Sequence, residues 1–213
     1  MSAFAALAIH SSSMMTIPTT LPVMVLPNCS LFPEGRLPLF IFEPRYRQML
    51  YDALQGDRMF CIGTTLGEDA GEPDAPIEPF STAGLVRACV GKKDGTSHLI
   101  LEGLKRVRFI GWVEGKPYRL ARVEAVLTVD PNPVVTQRLN EEIKGLAGVR
   151  LRRAGFESAE SLDARWESLG GGERLADFIA YHLVSDVERR QPMLAMPSLP
   201  DRLEFLRECL REL

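Results

Sequence analysis

The chain has 213 residues, 46% hydrophobic and 25% charged, with a net charge of −3. That usage excludes a largely disordered chain, and the longest apolar runs, such as residues 37–42, fall far short of the ~20 residues a membrane-spanning helix needs. The net charge hides a division: residues 66–83 carry five carboxylates and no base, and residues 84–122 carry nine bases against three acids. A solvated sheet face beside its own acidic loop accounts for this division.

Residues 1–20 contain the apolar stretch Phe4-Ala5-Ala6-Leu7-Ala8-Ile9 with no Lys or Arg before it, so a secretory signal is not indicated. They read as a flexible tail, with Met14 or Met15 as alternative starts. From residue 21 the pattern is one of short β-like runs. The first covers 22–26. The second covers 36–42, entered through Gly35. Glu43-Pro44 then opens a helix, with proline at the first turn where its missing N–H costs nothing. Tyr46, Met49, Leu50, Ala53 and Leu54 recur at helical spacing, and Gly56 closes it.

Strands follow at 59–63, 83–90 and 98–101, the last two flanking Asp94-Gly95, a strong hairpin signal. An acidic Pro/Gly loop spans 66–80. Strands at 107–113 and 118–126, joined by Gly115-Lys116-Pro117, complete the set. After Asp130-Pro131-Asn132-Pro133 the period becomes helical: Val135, Leu139, Ile143 and Leu146; a short segment at 161–169 before three glycines; Leu175, Phe178, Ile179, His182 and Leu183; and, behind Ser198 and Asp201, Leu203, Leu206 and Leu210. The expected fold class is α+β, a strand-rich subdomain at 21–129 with one inserted helix and a helical subdomain at 134–213.

The motifs of catalysis are missing. There is no G-x-x-x-x-G-K-[ST], H-E-x-x-H, G-x-S-x-G or G-x-G-x-x-G. Cysteines 29, 61, 89 and 209 and histidines 10, 98 and 182 lie at no metal-ligand spacing, so no catalytic residue, metal or cofactor is expected. Scattered unpaired cysteines suit a reducing cytoplasm.

Three blocks carry a family likeness. Residues 21–28, with Leu31-Phe32-Pro33-Glu34-Gly35-Arg36-Leu37-Pro38-Leu39 and Ile41-Phe42-Glu43-Pro44-Arg45-Tyr46, form the first. Thr82-Ala83-Gly84-Leu85-Val86 is the second, and Leu101-Glu102-Gly103-Leu104-Lys105-Arg106-Val107-Arg108 the third. Together they resemble the N-terminal, substrate-binding domain of Lon protease, and more specifically proteins made of that domain alone. The resemblance implies a PUA-like β-barrel followed by a C-terminal α-helical bundle. It also implies a non-catalytic, proteolysis-related module that binds protein or peptide, without the parts that hydrolyse ATP or cut. Lys93-Asp94-Gly95-Thr96-Ser97 resembles the segment of the Lon peptidase nucleophile, but its flanks place it in the hairpin.

The implied partners are exposed apolar segments of unfolded polypeptides and a separate Lon-type protease. Pro33, Gly35, Glu43, Pro44, Arg45, Tyr46, Glu102, Gly103 and Arg106 read as structural motif residues. Phe32, Pro38, Phe40 and Phe42 are the candidate peptide-binding residues, being either core or the lining of a groove between barrel and bundle. Alternation sends Leu37, Leu39 and Ile41 to one face and Pro38, Phe40 and Phe42 to the other. An alternative reading is a PUA-like RNA binder using Lys92, Lys93, Lys105, Arg106, Arg108, Arg119 and Arg122, with Trp112 and Tyr118 to stack bases.

Overall fold

A computed structural model describes residues 16–72, 74–153 and 159–212. The six strands are β1 (Thr20–Pro27), β2 (Arg36–Ile41), β3 (Met59–Thr65), β4 (Phe80–Gly91), β5 (Ser97–Val113) and β6 (Arg119–Ala125). They run in the order β2-β5-β4-β3-β1-β6, and β5 also pairs with β6. Five strands therefore close into a ring where the sequence leads one to expect a barrel, and β2 hangs on its outside. All pairings are antiparallel except β1 with β3.

The sequence pattern suggests separate strands at 98–101 and 107–113, whereas the chain runs through as the single 17-residue β5. Glu102-Gly103 looks like a break because glycine weakens a strand. Here it is a point of close backbone approach. The first half of β5 pairs with β2 on one side, the second half pairs with β6 on that same side, and β4 backs both. A bulge between Ala83 and Gly84 absorbs the mismatch where the neighbour changes.

The inserted helix α1 (Pro44–Gln55) lies between β2 and β3. Pro44 stands in its first turn, Tyr46, Met49, Leu50 and Ala53 form its buried stripe, and Gly56 caps it with an N–H donated to Ala53 O at 3.1 Å. That stripe packs against Met24, Phe60, Ile62, Leu99 and Leu101. A second cluster, including Val23, Cys61, Ala83, Val107 and Ala121, draws on all five ring strands. Ile17 packs on this cluster, and Thr19 O accepts the Val123 N–H at 2.9 Å. Residues 16–19 are thus attached to the barrel rather than part of a free tail, while residues 1–15 and the alternative starts within them lie outside the described residues.

The helical half comprises α2 (Pro133–Arg153), α3 (Ala159–Leu169), α4 (Gly172–Leu183), α5 (Val187–Arg190) and α6 (Leu199–Glu212), with a 3-10 turn at Gln191–Ala195 before α6. The short α5 has no apolar period to announce it. It rests on a local device, the Asp186 carboxylate accepting the Glu188 N–H. The stretch after β6 is fastened to the head of α6, where Val129 N–H donates to Pro197 O and Leu199 N–H to Val129 O, both at 2.9 Å. Among the described residues, no helix is long and apolar enough to cross a membrane.

Phe32 belongs to the helical core. It is fully buried among Leu139, Ile143, Leu175, Ile179 and their neighbours, so the loop before β2 plugs the barrel into the bundle. This corrects its place among the peptide-binding candidates, because a side chain with no exposed surface cannot meet a ligand.

Candidate functional site

The alternation along β2 holds. Leu37, Leu39 and Ile41 turn toward the α1 cluster, and Pro38, Phe40 and Phe42 turn to solvent. The outward residues do not face a groove between barrel and bundle. They lie on the outer face of β2, β5 and β4. Cross-strand register assembles the patch: Phe40 lies opposite His98 and His98 opposite Val90, while Pro38 lies opposite Ile100 and Ile100 opposite Ala88. The result is an apolar surface three strands wide around a shallow groove of about 400 Å³.

Exposure makes the patch unusual. Phe40 is 44%, Phe42 57% and Val90 66% exposed, and large apolar side chains grouped in this way on a surface mark interaction sites. The rings are ordered among themselves. Phe40 stacks on His98 at 4.7 Å and on Phe42 at 5.7 Å, and the Lys92 ammonium lies 5.3 Å from the Phe40 ring centre. His98 and Val90 were not singled out from sequence as binding residues. The Asp94-Gly95 hairpin carried the signal, since its turn sets Val90 opposite His98. Gly95 adopts the left-handed φ of +82° that such a turn asks for, and Ser97 begins β5 opposite Gly91.

The structural motif residues tie the barrel together. The Glu34 N–H donates to Gly103 O at 3.1 Å and the Gly103 N–H to Gly35 O at 2.9 Å, so the first and third sequence blocks meet directly. Pro33 is buried beside them. Glu102 takes Arg36 and Arg87, not Arg106. Glu43 and Arg45 pair with each other at 2.8 Å at the head of α1. The Tyr46 hydroxyl bonds both backbone groups of Val25, donating to O at 3.1 Å and accepting from N at 3.2 Å; burial pushes its pKa up.

Arg106 crosses to the helices. Its guanidinium donates to both Asp177 oxygens, at 2.6 Å for the Nη1 bond, and to Glu173 Oε1 at 3.0 Å. Arg202 of α6 completes the cluster, with Nη1 3.7 Å from Asp177 Oδ1 and Nη2 donating to Met196 O at 2.6 Å. Arg106, Arg202 and Asp177 are all buried. Loss of hydration pushes the Asp177 carboxyl up against the pull of both arginines and, with Arg106 alongside, brings Arg202 down to about 10.

This geometry withdraws part of the basic and aromatic set that the RNA-binding alternative names, while Lys92, Lys93, Lys105, Arg119, Arg122 and Trp112 stay exposed. Arg106 is buried, Arg108 pairs with Glu124 at 2.6 Å, and Tyr118 is buried with its hydroxyl donating to Asp52 at 2.7 Å. Asp52 of α1 also accepts from Lys116 at 2.8 Å and from Gln48 at 2.8 Å, fixing the β5–β6 turn to the helix. These donors, Lys116 first, hold the Asp52 carboxyl at about 2. Its folded pKa lies below the unfolded 3.8, so the interaction stabilises fully above that value and fades as pH falls through about 2. A carboxyl NMR titration is expected to place the Asp52 midpoint near 2 and to move it toward 3.8 in Lys116→Ala. A wild-type midpoint already at 3.8 contradicts the arrangement.

Comparison with known proteins agrees with this architecture. A family model described as the ATP-dependent protease La (LON) substrate-binding domain matches residues 20–212. Lon protease 2 of Myxococcus xanthus is 30% identical over 201 residues, covering 91% of this chain and 24% of that protein. Lon protease of Dictyoglomus thermophilum is 26% identical over 192 residues, covering 88% and 24%. The chain thus spans about a quarter of the length of these relatives.

Among solved structures, the N-terminal domain of a Mycobacterium avium complex Lon protease superposes with a TM-score of 0.70 at 15% identity, covering 91% of this chain and 98% of that one. The Lon N-terminal domain protein from Xanthomonas campestris superposes at 0.62 with 21% identity, covering 89% and 97%. These two show likeness of fold. With the family model matching nearly the whole of the described barrel and bundle, the chain belongs to the LON substrate-binding domain family.

Proposed function

We propose that this protein is a non-catalytic recognition module that holds exposed apolar segments of unfolded polypeptides on the outer face of β2, β5 and β4. The observation that carries the reading is the exposed row of Pro38, Phe40 and Phe42, joined across the sheet by Val90, on a member of a family described as substrate-binding. The apolar row supplies non-directional contact area suited to many sequences. A separate Lon-type protease is the proposed physical partner, through which a held polypeptide reaches proteolysis. A cytoplasmic location is part of the proposal, supported by four cysteines that are all unpaired thiols.

Titration of a labelled, chemically unfolded polypeptide tests the reading. Binding is expected to persist at raised salt, because area burial is not screened. The double substitution Phe40→Ala/Phe42→Ala is expected to weaken binding about tenfold or more, as loss of central aromatic contacts does. The melting temperature should move little, since both side chains lie on the surface outside the core clusters. Binding unchanged in the double variant, or absent from the wild type across several unfolded polypeptides, overturns it.

A further inference from the structure

Among the described residues, β2 is the one strand with a neighbour on a single side. Its backbone parity follows from particular bonds. Gly35 O accepts from Gly103 of β5, while Arg36 O faces the other way and accepts from the Tyr181 hydroxyl at 3.1 Å. In an antiparallel pair, residues alternate between exchanging bonds with the neighbour and pointing away from it. Leu37, Leu39 and Ile41 therefore bond β5, and Pro38 and Phe40 turn their backbone outward. Pro38 has no N–H to offer. The open edge consists of Pro38 O and both backbone groups of Phe40.

The residues with outward-turned backbone are the ones whose side chains form the exposed apolar row. A guest strand bonded to this edge would carry its own alternate side chains onto the same surface. Charge adds a further constraint. Lys92 and Lys93 stand at the hairpin beside the row and make no salt bridge within 4.0 Å among the described residues; Arg36 and Arg87 share the single carboxylate of Glu102, and Asp94 is hydrogen-bonded by Thr96.

Resting on the function proposed above, we infer that the polypeptides are bound by strand addition: an extended segment pairs antiparallel with β2, with apolar residues at alternate positions and acidic residues between or flanking them. Main-chain bonds then supply affinity and alternate side chains supply selectivity. Pro38 limits the edge to a short guest and discourages uncontrolled pairing of one copy with another.

In an antiparallel guest, the residues whose side chains lie on the apolar row are those whose N–H groups face Phe40. The test uses the full chain and four fluorescein-labelled decapeptides: one alternating Phe/Val with Glu/Ser, one scrambled from the same composition, one N-methylated at the apolar residues, and one N-methylated at the polar residues. Scrambling and apolar-position methylation are each expected to weaken binding about tenfold or more, the equivalent of at least one lost hydrogen bond, and polar-position methylation to leave it nearly unchanged.

Lys92→Glu/Lys93→Glu is expected to weaken the acidic peptide severalfold and to leave a version with Ser at every Glu unaffected. If all four peptides bind alike yet lose affinity in Phe40→Ala/Phe42→Ala, strand addition is wrong and the apolar-surface reading stands. If none of them binds, and unfolded polypeptides do not bind either, both fail.

Discussion

Asp177→Ala is expected to destabilise the folded protein by about 3–5 kcal/mol, the scale for removing one partner of a buried ion pair. The carboxylate is fully buried; it accepts hydrogen bonds from Arg106 of β5 and lies within ion-pair distance, 3.7 Å, of Arg202 from α6, and both guanidiniums are buried. Without it, Glu173 alone faces both, and Glu173 is partly exposed. Arg106 Nε and Arg202 Nη1 already lack hydrogen-bond acceptors, so the cluster has no spare acceptor to compensate.

The double substitution Arg106→Met/Asp177→Leu should cost much less than the sum of the single losses, since apolar groups of similar volume do not need pairing. Urea unfolding of the wild type, both single variants and the double variant measures this. A single-variant loss below about 1 kcal/mol, the level of an exposed surface pair, contradicts the assignment. Because β5, α4 and α6 meet at this cluster, its failure is expected to release the bundle from the barrel.

Gly103→Ala should be nearly as damaging, for a steric reason. A Cβ on residue 103 would lie 1.9 Å from Phe32 O, far inside contact distance. The obstacle is a backbone carbonyl, which a rotamer change cannot move. Phe32 itself is locked in the helical core, so the overlap must be relieved by shifting the loop before β2. Overpacking typically costs 1–3 kcal/mol, and the immobility of this neighbour places the expected loss at about 3 kcal/mol.

The same shift carries β2 with it, so binding at Phe40 should weaken along with stability. Gly145→Ala is the matched control. Gly145 sits in the exposed interior of α2 with open space where the Cβ would go, and its replacement should stabilise by about 1 kcal/mol through helix propensity. Equal effects at the two glycines would show that propensity, not contact with Phe32, governs position 103.

Much of this was legible in the sequence because it is local. Helix α1 declares itself by Pro44, a five-residue apolar stripe and Gly56, and the hairpin by Asp94-Gly95. Alternation sorts Pro38, Phe40 and Phe42 from Leu37, Leu39 and Ile41 because successive strand side chains take opposite faces. Alternation fixes only parity. It does not say which neighbour covers a face, and so the outward row could be read as the wall of a groove between subdomains when it lies on the far side of the sheet. Phe32 was misplaced for the same reason, since an aromatic in a loop has no periodicity to assign it.

The chain's own sequence therefore determined the inventory of elements, the change from strand to helix near residue 130, the family likeness and the parity of β2. Only the tertiary structure decided that two expected strands are one, that β2 is an open edge, that Val90 and His98 complete the patch, and that Arg106 meets Asp177 across 71 positions of sequence. The first set depends on backbone geometry and spacing within a few residues. The second depends on which distant surfaces come together, a choice made by the packing of the whole core and written in no single stretch of the chain.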